Sequence, residues 1–108
     1  MGITKAEALK AVDRERGPVC EASDRIWDQP ETAFQEFHST DVLCELLEKE
    51  GFRVERNLAG IATAFSGTYG SGKPVVGILG EFDALSGLSQ ESESLEKTAL
   101  VDGAPGHG

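Results

Sequence analysis

Two carboxylates follow the most apolar run of the chain and are its first candidates for chemistry. The run PVVGILGEF ends at Phe82, and Glu81 and Asp83 flank that residue. Side chains two residues apart on an extended backbone point the same way, so this pair could share a divalent cation. Carboxylates at the end of a central strand also lie where open α/β sheets form their ligand crevice. The alternative, two solvated loop carboxylates, stays open because acidic residues are plentiful here.

A histidine between two glycines is the second candidate. Glycine backbones permit close approach, so His107 could lie close to a metal or a substrate. An exposed histidine is the simpler interpretation on spacing alone. By contrast, His38 is predicted to lie on the surface at a helix entry, and Trp27 is predicted to be a core residue whose indole N–H needs a partner.

The stretch Gly67–Lys73 has the G-x-x-x-x-G-K spacing of a phosphate-binding loop. Such a loop needs a Ser or Thr next, and it must open a helix whose N-terminus faces the phosphates. Pro74 follows instead, and the residues after it are strand-like. The stretch is therefore interpreted as a turn, and nucleotide hydrolysis is not expected.

Composition excludes several classes of partner. The 108 residues contain 10 Lys and Arg against 19 Asp and Glu, giving a formal net charge of −9. This charge repels phosphates, so neither nucleic acid nor an anionic membrane surface is expected as a partner. No stretch approaches the ~18 apolar residues of a membrane span, and the opening residues lack the apolar centre of a signal peptide. One domain in the cytoplasm is expected.

The two cysteines are too few for a disulfide framework or a zinc knuckle. Cys20 and Cys44 both fall in helix-like stretches, which predicts two buried free thiols. A single disulfide between them remains the alternative.

Two helices are predicted in the first half of the chain. Apolar residues at three- and four-residue steps predict a helix over residues 4–28, with a kink or a break into two helices at Gly17-Pro18. A second apolar face predicts a helix from Thr40 to Glu50, capped by Ser39 or Thr40 and stopped by Gly51.

After Gly51 the pattern changes to that of strands. A short strand is predicted from Phe52, another over residues 60–67, and a third, buried on both faces, over the apolar run before Asp83. The Gly-rich turn at residues 68–73 would join the last two as a hairpin. The fold class is therefore α/β, with two helices followed by a β-hairpin or small sheet. Such a thin sheet predicts an incomplete domain.

Several stretches together resemble the zinc-dependent aminoacylase and carboxypeptidase amidohydrolases, a metallopeptidase family. The stretch IWDQPETAFQEFHST resembles the exit of their first helix, and LLEKEGFRVERNLAGIATAF their helix, strand and hairpin. The stretch GILGEFDALSGLSQ resembles the strand and loop that enter their active site, and GAPGHG the start of their Gly-His-Gly-Cys-Gly-His-Asn segment. Their order and spacing carry the resemblance.

This resemblance implies a hydrolase in which zinc or manganese activates a water molecule and a glutamate acts as general base. It implies that Asp83 orients groups at the metal centre. Glu81 occupies a place where many relatives have a His ligand, and His107 matches the first His of the Gly-His-Gly-Cys-Gly-His run. The main ligands are then expected beyond Gly108.

The resemblance also sets the expected domains, substrate and partners. Residues 1–88 would be the N-terminal part of a zinc-aminopeptidase-like catalytic domain, and residues 89–108 a flexible, truncated active-site loop. The full-length protein would cleave N-acyl amino acids or aminobenzoyl-glutamate-like amides that carry a carboxylate, as a homo- or hetero-oligomer. The 108 residues alone would be inactive. The alternative is a non-enzymatic interaction module, or a truncated paralogue that binds a full-length subunit through an uncovered sheet edge.

Overall fold

Two helices and one antiparallel strand pair make up the regular structure. The computed structural model describes residues 2–108, with α1 at Lys5–Asp28, α2 at Phe37–Lys49, β1 at Arg53–Arg56 and β2 at Phe65–Thr68. This order confirms the predicted fold class, two helices followed by a small sheet. The radius of gyration is 16.4 Å, above the roughly 13 Å of a compact domain of this length, so the chain is open in shape.

Helix α1 begins at a capping box. The Thr4 hydroxyl accepts the Glu7 N–H at 3.2 Å, and the Glu7 carboxylate accepts the Thr4 N–H at 2.7 Å. The helix continues through Pro18, so the predicted alternative of two separate helices is wrong. A proline removes one backbone hydrogen bond, and the helix is nonetheless continuous over its 24 residues. Ala22 is the residue that α1 buries.

Helix α2 begins three residues earlier than predicted. Its first turn already contains Ser39 and Thr40, so neither of them is the N-cap, and that prediction is wrong. Both side chains are instead buried, and the Thr40 hydroxyl donates to the Thr63 carbonyl at 2.9 Å. The predicted stop is confirmed: Gly51 has a φ of 88°, the left-handed conformation that favours glycine.

The hairpin joins different segments from those predicted. Strand β1 pairs antiparallel with β2, with Arg53 opposite Thr68 and Arg56 opposite Phe65. A connection containing a 3-10 turn at Leu58–Gly60 links them. Bends follow β2, and within residues 2–108 no helix follows them, whereas a phosphate-binding loop opens a helix.

Residues 74–80, here called the apolar segment, are not the buried strand that the sequence predicts. They have no strand structure, and four side chains are almost fully exposed: Val75, Val76, Ile78 and Leu79. The physical reason is that a strand is buried only when neighbouring strands satisfy its N–H and C=O groups. No segment of the described chain pairs with these residues.

The buried core is small and lies around α2. Its apolar members in the described chain are Ala22, Val42, Cys44 and Ala84. Cys20 is exposed, so the prediction that both thiols are buried is wrong for that residue, because it lies on a side of α1 that nothing covers. Both cysteines are free, which excludes the alternative of a disulfide. Neither helix within residues 2–108 combines the length and the apolar character that crossing a membrane requires.

Candidate functional site

The candidate site is built around three short segments that pair beside the Asp83 carboxylate. Thr32 and Ala84 form a parallel bridge, in which the Ala84 N–H donates to the Glu31 carbonyl at 2.7 Å. Leu85 and Gly106 form an antiparallel bridge through two hydrogen bonds of 2.9 and 3.0 Å. We call the residues 31–32, 84–85 and 106 the central ladder. It brings together parts of the chain that are far apart in sequence.

Asp83 lies directly before the central ladder, and Glu81 lies further from it along the chain. Asp83 is half-buried and directly precedes Ala84, whose side chain is only 2% exposed. Glu81 is exposed. Nothing in residues 2–108 brings three His, Cys, Asp or Glu side chains together closely enough to hold a metal ion. The donors that the structure describes therefore do not by themselves fit a metal centre.

His107 packs on the apolar side of the site. Its ring lies 6.3 Å from the Trp27 ring, centroid to centroid, and its Nε2 atom is buried without a hydrogen-bond partner in the described chain. An apolar groove of about 390 Å³ runs beside it, lined chiefly by Ile26, Trp27, Leu43, Leu46 and Phe82. Trp27, predicted as core, is half-buried in this groove.

Gly106 lets the last residues of the chain approach the central ladder closely. A Cβ atom on this residue would lie 2.1 Å from the Leu88 carbonyl oxygen and 2.6 Å from the Ser89 Cα atom. No side chain larger than hydrogen fits at that distance. The glycine thus allows the close approach that pairs residues 85 and 106 and places His107 next to Trp27.

Glu31 supports the site from the other side, and sequence reasoning assigned it no role. Its two carboxylate oxygens accept the N–H groups of His38 at 2.9 Å and Ser39 at 2.6 Å, at the start of α2. Partial burial raises the pKa of Glu31, but the hydrogen bonds from Ser39 and His38 lower it more, and the net pKa lies below its ordinary value. An acidic residue shortly before a helix start was the available signal.

The comparisons with known proteins find one similar protein to report. No family model matches the chain. The chain is similar to one of the subunits of p-aminobenzoyl-glutamate hydrolase from Escherichia coli (strain K12), with 45% identity over 98 residues. The aligned stretch covers 91% of this chain but 20% of that relative, so the chain spans about a fifth of the relative's length. This similarity confirms the predicted relationship to an aminobenzoyl-glutamate hydrolase.

Proposed function

We propose that this chain contributes to a metal-dependent amide hydrolase that acts on aminobenzoyl-glutamate-like or N-acyl amino acid substrates. The observation that carries the proposal is the 45% identity to a hydrolase named for p-aminobenzoyl-glutamate. The 98 aligned residues leave about ten outside, so the similarity spans the part of the chain that contains Glu31 and Asp83.

In this proposal Asp83 is the residue that orients groups at the metal centre. It is half-buried beside the rigidly paired Ala84, which suits a carboxylate that must keep one position. Zinc or manganese, when bound, would polarise the amide carbonyl and lower the pKa of the attacking water. The other metal donors and the general base would come from polypeptide outside the described residues.

Glu81 and His107 have lesser roles in the same proposal. Glu81 is exposed beside the site, where it can meet a metal or a further chain. The Nε2 atom of His107 is buried without a hydrogen-bond partner in the described residues. In this proposal, a polar group of the further chain forms a hydrogen bond with it. Assembly into an oligomer is likewise proposed, because the relative is named as a subunit.

Complementation tests the proposal directly. The 108-residue chain is mixed with the E. coli relative lacking the stretch that aligns with it, and release of glutamate from p-aminobenzoyl-glutamate is measured with manganese or zinc. We expect turnover from the mixture and none from the chain alone. We expect Asp83→Asn to lower the mixture's turnover about 100-fold, as loss of a group that orients metal ligands does.

The control variant is Asp13→Asn, which removes an exposed carboxylate on α1. It should leave turnover unchanged. Turnover by the chain alone would contradict the proposal that the other metal donors and the general base come from polypeptide outside the described residues. Equal turnover with Asp83→Asn and with Asp13→Asn would contradict the role of Asp83.

A non-enzymatic module that binds a full-length subunit is the second candidate, and the apolar segment favours it. Val76 and Ile78 are 82% and 96% exposed, on a backbone that pairs with no segment of residues 2–108 and can therefore pair with a strand of another chain. A module of this kind binds the full-length relative in size-exclusion chromatography equally well with and without Asp83→Asn. It adds no turnover to the truncated relative.

A further inference from the structure

Glu31 is the residue that joins the start of α2 to the loop carrying Asp83. Its side chain accepts two N–H groups from the first turn of α2, and its main-chain carbonyl accepts the N–H of Ala84. The three bonds measure 2.9, 2.6 and 2.7 Å. One residue therefore touches both the packed part of the molecule and the backbone next to Asp83.

The α2 end of this connection is firmly held. Ser39 is fully buried and Thr40 is 3% exposed, and the Thr40 hydroxyl bonds to the Thr63 carbonyl. The N–H groups that Glu31 caps therefore lie on a buried helical turn that a hydrogen bond ties to Thr63. A carboxylate at a helix N-terminus is also favoured by the helix dipole.

At the other end of this connection, chain geometry links the Ala84 amide to the position of Asp83. The Cα atoms of Asp83 and Ala84 are one trans peptide apart, about 3.8 Å. A hydrogen bond that fixes the Ala84 amide thus restricts where the Asp83 side chain begins. On its other side the loop is held by the bridge to Gly106 and by the bond from the Ser89 N–H to the Ala104 carbonyl, both to a segment without helix or strand. Before Asp83, the Phe82 ring packs on Phe65 of β2, with the ring centroids 5.8 Å apart, so this contact also holds the loop.

We infer that Glu31 is a positioning residue for Asp83: by capping α2 and accepting the Ala84 amide, it fixes the carboxylate relative to the helix. It touches no reacting atom, so it is not a catalytic residue. The inference deepens the proposed function, because the hydrolase role of Asp83 rests on that proposal.

Residue-resolved amide hydrogen exchange of the 108-residue chain tests the inference without metal or substrate. In Glu31→Ala we expect exchange at His38, Ser39 and Ala84 to become about tenfold faster together. We also expect the carboxyl carbon resonance of Asp83 to shift. Glu31→Gln has one acceptor oxygen for two N–H groups, so its effects should be intermediate.

Glu7→Ala is the matched control, since Glu7 caps α1 with the same kind of bond far from Asp83. It should speed exchange at Thr4 and leave Ala84 and the Asp83 resonance unchanged. Should Glu31→Ala not fold, Glu31→Gln carries the test.

The inference is overturned if exchange accelerates at His38 and Ser39 while Ala84 keeps its wild-type rate. A uniform acceleration of all amides overturns it too, because that reports global destabilisation. The exchange experiment does not depend on hydrolysis. A failure of the proposed function, seen as no turnover in the complementation experiment, is therefore distinguishable from a failure of the inference about Glu31.

Discussion

Helix α2 carries charged residues yet buries some of its apolar side chains, whereas the apolar segment has no charged residue and leaves its apolar side chains exposed. Val42 in α2 is 2% exposed and Cys44 is fully buried. Val76 and Ile78 in the apolar segment are 82% and 96% exposed. Apolar composition alone therefore did not determine which of the two regions forms the core.

The difference lies in how each backbone satisfies its hydrogen bonds. A helix bonds its own N–H and C=O groups, so α2 needs only neighbours that cover its apolar face, and α1 and the hairpin provide them. An extended segment must pair with other strands before it can be buried. For the apolar segment, no such strand exists in residues 2–108.

The largest expected effect comes from placing a charge in each region. Val42→Asp buries an unpaired carboxylate and should cost about 3–4 kcal/mol of unfolding free energy. Val76→Asp, at an exposed position, should change it by less than about 0.5 kcal/mol. Urea unfolding followed by circular dichroism measures both. Equal losses of unfolding free energy would show that the apolar segment is packed in solution. The two regions would then not differ in burial.

A second pair of variants compares the central ladder with the apolar segment. Gly106→Ala forces a methyl group against the Leu88 carbonyl and should cost about 2 kcal/mol through overpacking. Gly80→Ala has open space around its Cβ position and should be close to neutral. The same urea experiment gives both values. A neutral Gly106→Ala would mean that the pairing of residues 85 and 106 is not tight.

The sequence predicts the features of the fold that depend on local pattern, and it does not predict those that depend on distant segments. Gly51 marks the end of α2, and the two helices and two strands that form follow local periodicity, so these features were predictable. The start of α2 was not, because its cap is Glu31, seven and eight residues before the N–H groups that it accepts. The burial of residues 74–80 depends on partner strands, which local pattern does not specify.

The candidate site also has one part that local sequence pattern indicates and one part that it does not. Asp83 is a candidate because of its place after an apolar run, which is a local feature of the sequence. The central ladder pairs residues 32 with 84 and 85 with 106, and no local pattern indicates those pairings. The hydrogen bonds of Glu31 were not predictable in the same way, because they form only when α2 and the loop carrying Asp83 meet in the fold.

The pH dependence of stability tests the capped end of α2. The pKa of Glu31 in the folded chain lies below its ordinary 4.5. Its contribution is therefore fully present above pH 4.5 and is lost as the pH falls through the folded value. Glu31→Gln should cost about 1 kcal/mol at pH 7, reduced by solvent screening, and the difference from wild type should shrink in acid. A difference that stays constant from pH 7 to pH 3 would contradict this.

The smallest expected effect concerns the ion pair between α2 and β1. The Arg56 guanidinium donates to the Asp41 carboxylate, and both side chains are about half exposed, at 42% and 57%. Such a pair contributes about 0.5 kcal/mol, so Asp41→Asn should lower the unfolding free energy by that amount and by less in 1 M salt. Asp13→Asn, which removes the looser pair to Arg16 on exposed α1, is the control and should have no measurable effect. If Asp41→Asn instead costs as much as Val42→Asp, then α2 is held to the hairpin by charge rather than by its apolar face, and the contrast with the apolar segment needs a different cause.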